Sequence, residues 1–278
     1  MGKKIWANIP AGHDSPMAYA ISSRDQSVIR MVDEAVRHKQ VTLAYQSIVP
    51  AGDQARPAFY EGLIRVLDPT GRIIPARDFI GSIEATETGR IIDCLALEKG
   101  LACLRRFPSL RLAINMSARS IGYPRWMRSL KRGIAKDPTV AERLILEITE
   151  SSAMLIPELV VSFMSDLQRK GISFALDDFG GGYTSFRYLR DFYFDILKVD
   201  GQFIRGIADD PDNQVLTRAL LSIAEQFDLV TVAESVENPR DAVYLSHMGF
   251  DCLQGYYFGA PTIHAPWEEV RQERAASA

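Results

Sequence analysis

Leu144-Ile145-Leu146-Glu147-Ile148-Thr149 and, with Asp177 lying 30 residues after Glu147, Ile172-Ser173-Phe174-Ala175-Leu176-Asp177-Asp178 are the stretches on which the fold turns. Each is a short β-rich apolar run, too continuous for a strand with one wet face, so it reads as a strand covered on both sides. Each also leads into a carboxylate. Working outward, the same signature recurs: Ala58-Phe59-Tyr60 leads into Glu61, Leu112-Ala113-Ile114 into Asn115, and Ile196-Leu197 into Lys198. Val230-Thr231-Val232-Ala233 leads into Glu234, and Cys252-Leu253 into Gln254. From Asn115 onward these polar ends are spaced by 32, 30, 21, 36 and 20 residues, close to the length of a βα unit.

Stretches of helical period fill the intervals: Ile91 to Arg106, Trp126 to Lys136, Pro157 to Lys170, Thr184 to Arg190, Asn213 to Phe227 and Arg240 to Met248. Before them, residues 1 to 24 read as a tail, Asp25 to Lys39 as an amphipathic helix, and residues 25–278 as one domain. Thr42 to Val49 and Ala58 to Leu67 read as a hairpin ended by Asp68-Pro69-Thr70-Gly71. Such an alternation fits an open sheet or a closed barrel. An open sheet gathers its ligand groups at one switch point, whereas here nearly every strand end carries a reactive group, as the C-terminal face of a TIM (β/α)8 barrel allows. The 278 residues suit one such barrel.

Composition narrows the function. A net charge of −3 excludes a globally basic face for polymeric nucleic acid or an anionic membrane, so an anionic ligand must meet local cations. Cys94, Cys103 and Cys252 are odd in number and widely spaced, which favours a reducing, cytoplasmic setting over a disulfide framework. No run approaches the roughly 18 apolar residues of a membrane span, and the opening residues, with Pro10, Gly12 and Pro16, lack a signal peptide's apolar core. No Gly-x-Gly-x-x-Gly follows a strand, so no dinucleotide cofactor is expected.

Glu61, Asn115, Glu147, Asp177 and Asp178 offer oxygen alone, and His13, His38, His247 and His264 form no zinc pattern. Oxygen ligands favour Mg²⁺ or Mn²⁺. Adjacent Asp177 and Asp178 suit two divalent ions sharing a bridging carboxylate, and such sites cleave phosphoesters by in-line attack of an activated water. Residues two apart on a strand share a face, so Glu147 is the ligand and Glu150 the brace of a neighbouring loop, while Lys198 and Asp200 face one way. Lys198 can orient the water and offset charge on the phosphoryl oxygens. Glu234 completes the second ion's shell or steers the water, and Gln254 presents both a donor and an acceptor. One strand-end carboxylate reads equally well as a salt-bridge or capping residue. Seven polar strand ends together do not. Glu84 and Glu87 read as a solvated helix face.

Taken in order, Tyr45-Gln46, Glu61-Gly62-Leu63-Ile64-Arg65, Asn115-Met116-Ser117, Glu147-Ile148-Thr149-Glu150, Asp177-Asp178-Phe179-Gly180, Lys198-Val199-Asp200, Glu234-Ser235-Val236-Glu237 and Gln254-Gly255-Tyr256 resemble the motifs of the EAL-domain phosphodiesterases. The resemblance runs from about residue 26 to residue 265. It implies hydrolysis of cyclic di-GMP to linear pGpG on a modified TIM barrel whose first strand runs antiparallel to the rest. It also implies Glu61, Asn115, Glu147 and Asp177 as ligands of one ion, with Asp177, Asp178 and Glu234 holding the second. Lys198 would touch the catalytic water. Gln46, Leu63 and Arg65 would contact substrate, as would Asp200, Glu237 and Gln254 in the neighbouring motifs. Glu150 would brace the loop from Asp178 to Phe186, which in the family couples dimerisation to metal binding, so a homodimer is expected. Gly62, Gly181, Ser47 and Ser235 depart from the usual Ala, Thr, Pro and Gly, and none removes a ligand.

Two other functions fit less well. A catalytically silent receptor for cyclic di-GMP would typically lack a ligand, whereas this chain keeps them all. An enolase-like barrel would use Arg65 and Gln46 to clamp a small carboxylate. No regulatory module is recognisable, so the regulatory partner is left open.

Overall fold

The computed structural model describes residues 16–181 and 189–268, with side chains described from residue 26 onward. Its strands are β1 (Val41–Pro50), β2 (Phe59–Leu67), β3 (Ile73–Pro75), β4 (Leu112–Asn115), β5 (Leu144–Thr149), β6 (Ser173–Phe179), β7 (Ile196–Val199), β8 (Val230–Ala233) and β9 (Cys252–Gln254). Their order in the sheet is β1-β9-β8-β7-β6-β5-β4-β2-β3, and a β1–β2 pairing closes it into an eight-stranded barrel with β3 appended. β1 runs antiparallel to both its neighbours, while the pairs from β2–β4 round to β8–β9 are all parallel. The expected fold, including the reversed first strand, is the one observed.

The helices begin where proline permits. Those at Pro124–Lys136, Pro157–Gln168, Pro211–Gln226 and Pro239–Met248 all open on proline, whose missing N–H is not needed in a first turn. Three therefore start one or two residues before the apolar spacing indicates. Asp210 and Asn238 cap the last two by accepting from backbone amides. The first helix spans Pro16–Arg37, reaching further toward the N-terminus than the reading from Asp25, and Glu87–Arg106 starts a turn before Ile91. The helix expected over Thr184 to Arg190 falls on residues 182–188, outside the described residues, except for Leu189 and Arg190. No helix among the described residues is long and apolar enough to cross a membrane.

Packing follows the pleat. Outward-facing residues such as Leu146, Phe174, Leu176, Val199 and Leu253 join the helices in one large apolar core, each such side chain contributing about 1.5–3 kcal/mol on burial. Inward-facing residues form a separate cluster with one member from each barrel strand: Ile48, Phe59, Ala113, Ile145, Ala175, Ile196, Val232 and Cys252. That cluster seals the barrel interior beneath the functional groups.

Candidate metal and substrate site

Two residues beyond each member of the sealing cluster stands a polar one: Glu61 after Phe59, Asn115 after Ala113, Glu147 after Ile145, Asp177 after Ala175, Lys198 after Ile196, Glu234 after Val232 and Gln254 after Cys252. On the reversed β1 the step runs backwards, from Ile48 to Gln46. The two-residue repeat of a strand thus stacks a polar layer directly on an apolar one.

Lys198 occupies the centre of that layer and is 1% exposed. Its Nζ lies 2.7 Å from Asp177 Oδ1, 2.8 Å from Glu234 Oε1, and 3.4 Å from both Glu61 Oε2 and Glu147 Oε2. Glu61 is held on both oxygens, accepting from Asn115 Nδ2 at 2.7 Å and from Gln254 Nε2 at 2.6 Å. Gln46 donates to the Gly259 carbonyl and faces Gln254.

The electrostatics follow from one ammonium among several buried carboxylates. Burial alone would strip the Lys198 proton, but Asp177, Glu147, Glu234 and Glu61 outweigh it and hold the pKa well above the usual lysine value. Lys198 is a proton donor here, not a base. Burial also presses protons onto the acids, and at Glu61 it is overcome by Lys198 and the two amides, so that pKa falls. Burial and the Glu61 charge raise Glu147 well above the carboxylate range, and burial does the same for Glu234 against the pull of Lys198. Asp178 is pushed up to about 6 by burial and by Asp177.

Neighbouring residues on a regular strand point to opposite faces, so Asp177 and Asp178 need a distortion to serve one site. It is present as a register break between Leu176 and Phe179 in the β6–β7 pairing, with Asp178 at φ +55°. Bulges re-aim side chains in this way. The result is two groups whose ligand oxygens lie within 4.8 Å of one another: Glu61, Glu147 and Asp177, and Asp177, Asp178 and Glu234. Asp177 belongs to both. Glu147 Oε1 is buried without a hydrogen-bond partner, a costly state that a divalent cation would relieve. The donor set, all oxygen, fits hard divalent ions.

The family model for the EAL domain matches residues 29–261. This chain belongs to the EAL-domain family. Cyclic di-GMP phosphodiesterase NbdA of Pseudomonas aeruginosa is 31% identical over 241 residues, covering 85% of this chain and 31% of the relative. Signaling protein YkoW of Bacillus subtilis is 33% identical, over 85% of this chain and 30% of its own length. The chain therefore spans about a third of the length of these curated relatives. Among solved structures, the PaMucR phosphodiesterase in complex with c-di-GMP is 27% identical, with a TM-score of 0.75 over 88% of this chain and 99% of its own. The FimX EAL domain of Pseudomonas aeruginosa, bound to c-di-GMP, shares the fold at a TM-score of 0.77 and 21% identity, over 85% of this chain and 97% of its own.

Against the EAL pattern, the remaining expected residues sort by position. Gln46, Leu63, Arg65, Glu237 and Gln254 line a cavity of about 490 Å³ that opens over Lys198. Asn115 lines an adjoining cavity of about 410 Å³, which shares Glu61, Asp177 and Asp178 with the first. Asp200 lines neither. Its Oδ1 instead accepts from the Gln202 amide at 2.6 Å, and its Oδ2 lies 2.5 Å from where a Cβ on Gly181 would stand. Gly181 in place of threonine is what allows this approach. Glu150 Oε2 accepts from the Gly180 amide at 3.2 Å, so it touches the start of the loop assigned to it; residues 182–186 of that loop lie outside the described residues.

Two features had no signal in the sequence. Buried Asp93, on the Glu87–Arg106 helix, accepts on Oδ2 from the Ser117 amide at 3.0 Å and from Ser120 Oγ at 2.5 Å. It thereby pins the turn that follows Asn115. Burial pushes its pKa up to about 7 against the pull of those two bonds. Glu84, expected on a solvated face, accepts from Ser117 Oγ at 3.2 Å and is half-buried, because the chain folds it against the same turn. Glu87 is exposed, as expected, and is bonded to Arg90 and Tyr123. Arg205, the second feature, lines the larger cavity.

Proposed function

We propose that this chain hydrolyses cyclic di-GMP to linear pGpG, using two Mg²⁺ or Mn²⁺ ions. The observation that carries the reading is the pair of carboxylate groups joined at Asp177, with the Lys198 ammonium against both. Glu61, Asn115, Glu147 and Asp177 would hold one ion, and Asp177, Asp178 and Glu234 the other. When bound, such ions polarise a phosphoryl oxygen and lower the pKa of water.

The chain's own residues supply the rest. Asn115 and Gln254 fix both oxygens of Glu61, so that ligand is oriented in advance. Lys198, kept protonated, donates toward the shared carboxylate and toward charge that builds on the phosphoryl group. Gln46, Leu63, Arg65 and Glu237 form the cavity wall against which the dinucleotide would lie. The apolar layer below closes the barrel to water from that side. The cyclic di-GMP phosphodiesterase activity of NbdA and the c-di-GMP bound to PaMucR support the substrate.

The reading includes a homodimer, taken from the family resemblance, and a cytoplasmic location, favoured by the odd number and wide spacing of the cysteines. A monomeric mass in light scattering with substrate present would contradict the dimer. The activity is tested by incubating the protein with cyclic di-GMP and each ion, then resolving products by chromatography. Linear pGpG from the wild type and none from Glu61→Ala supports hydrolysis. Tight binding without turnover in either ion would make the chain a receptor.

A further inference from the structure

The cavity over Lys198 carries an arginine and a carboxylate side by side on its rim. Arg205 Nε lies 3.7 Å from Glu237 Oε1, and both side chains are more than half exposed, so each keeps hydrogen-bonding capacity for a ligand. Arg205 Nη2 donates to Ser235 Oγ at 2.9 Å. Ser235 itself sits at φ +55°, a conformation serine rarely adopts. Its side chain fills the space beside Gly201, where an added Cβ would stand 2.3 Å from Ser235 Oγ and 2.6 Å from Ser235 Cβ. Gly201 follows the β7 end that carries Lys198, and Ser235 follows Glu234 of the β8 end. The glycine makes room for the serine, and the serine aims the guanidinium along the cavity rim.

We propose that Arg205, set beside the already substrate-facing Glu237, reads the edge of one guanine base, with Ser235 as the residue that positions the arginine. The inference rests on the cyclic di-GMP reading above. Guanine presents acceptors at O6 and N7 next to donors at N1 and the 2-amino group. A guanidinium fork donates to the first pair. A carboxylate alongside accepts from the second. Adenine offers an amino donor where guanine has O6, and it has neither an N1 proton nor a 2-amino group, so it leaves the guanidinium with N7 alone and Glu237 without a donor. A phosphate suits the pair poorly, because Glu237 would repel it.

Equilibrium titrations with cyclic di-GMP and with cyclic di-AMP, in Ca²⁺ as an oxygen-seeking ion, test this alongside steady-state kinetics in Mg²⁺. Arg205→Ala is expected to weaken cyclic di-GMP binding about tenfold, the scale of one lost bidentate base contact. It should narrow the preference over cyclic di-AMP, and raise KM with kcat changed less than about twofold. Arg205→Lys should not restore binding, because charge without the fork cannot read the base edge. Ser235→Ala should give a smaller loss, about threefold, that adds nothing in the Arg205→Ala background. Unchanged affinity and base preference in Arg205→Ala, or full rescue by lysine, would overturn the inference while leaving the hydrolase reading intact. Failure of the wild type to bind cyclic di-GMP would overturn the function reading itself, and the base contact with it.

Discussion

Two layers of the barrel interior lie two residues apart on every strand, and they are built to opposite ends. The lower layer, from Ile48 and Phe59 round to Cys252, is apolar and buried. The upper layer, from Gln46 and Glu61 round to Gln254, gathers four carboxylates, a lysine and three amides. Backbone geometry is shared, so the contrast comes from side-chain chemistry alone. The lower layer gains from burial; the upper one carries opposed and crowded charge, which raises the pKa of Glu147 and Glu234 through desolvation first. The apolar layer strengthens this by excluding water beneath the charges, where Coulomb interactions are least screened. Function is concentrated in the layer that folds at a cost.

Removing the upper layer's single cation should break the contrast most severely. Lys198→Ala is expected to lower turnover at least about 10³-fold and to cost the metal-free protein about 3–5 kcal/mol, since buried carboxylates lose their partner. Mn²⁺ should recover much of that stability without recovering turnover, which thermal melts and product assays would read separately.

Support of the upper layer from outside the barrel is tested through Asp93. Its pKa of about 7 lies above the ordinary carboxylate value, so between about pH 4 and 7 the folded protein keeps a proton that the unfolded chain releases. Stability should therefore fall as pH rises through that window and level off above it. Asp93→Asn keeps an acceptor for the Ser117 amide and should flatten this slope, by up to about 4 kcal/mol across the window. Denaturant titrations at stepped pH would show it; an unchanged slope would mean that Asp93 is ionised throughout.

In the lower layer, by contrast, Ile145→Val should cost only about 1 kcal/mol and leave kcat and metal affinity near wild type. A large loss of kcat from this change would show that the two layers are not separable.

The same two-residue step explains what could be read from the sequence. Seven members of the upper layer follow apolar runs, and the strands carrying them give the parallel part of the barrel. Gln46 was not visible this way, because on the antiparallel β1 the polar residue precedes Ile48; only the family motif marked it. The bulge that turns Asp178 inward is a backbone event with no pattern of its own. Asp93 lies among buried residues of a helix, where a carboxylate looks like an interruption until the Ser117 turn is seen against it. β3 is three residues long, too short for an alternation to register.

The central claim is that the upper layer holds two divalent ions sharing Asp177. Electron paramagnetic resonance of the protein titrated with Mn²⁺ addresses it directly. The account predicts two bound ions per chain with an exchange-coupled signal, reduced to isolated Mn²⁺ at most in Asp177→Ala. A single uncoupled ion at saturation in the wild type would contradict it.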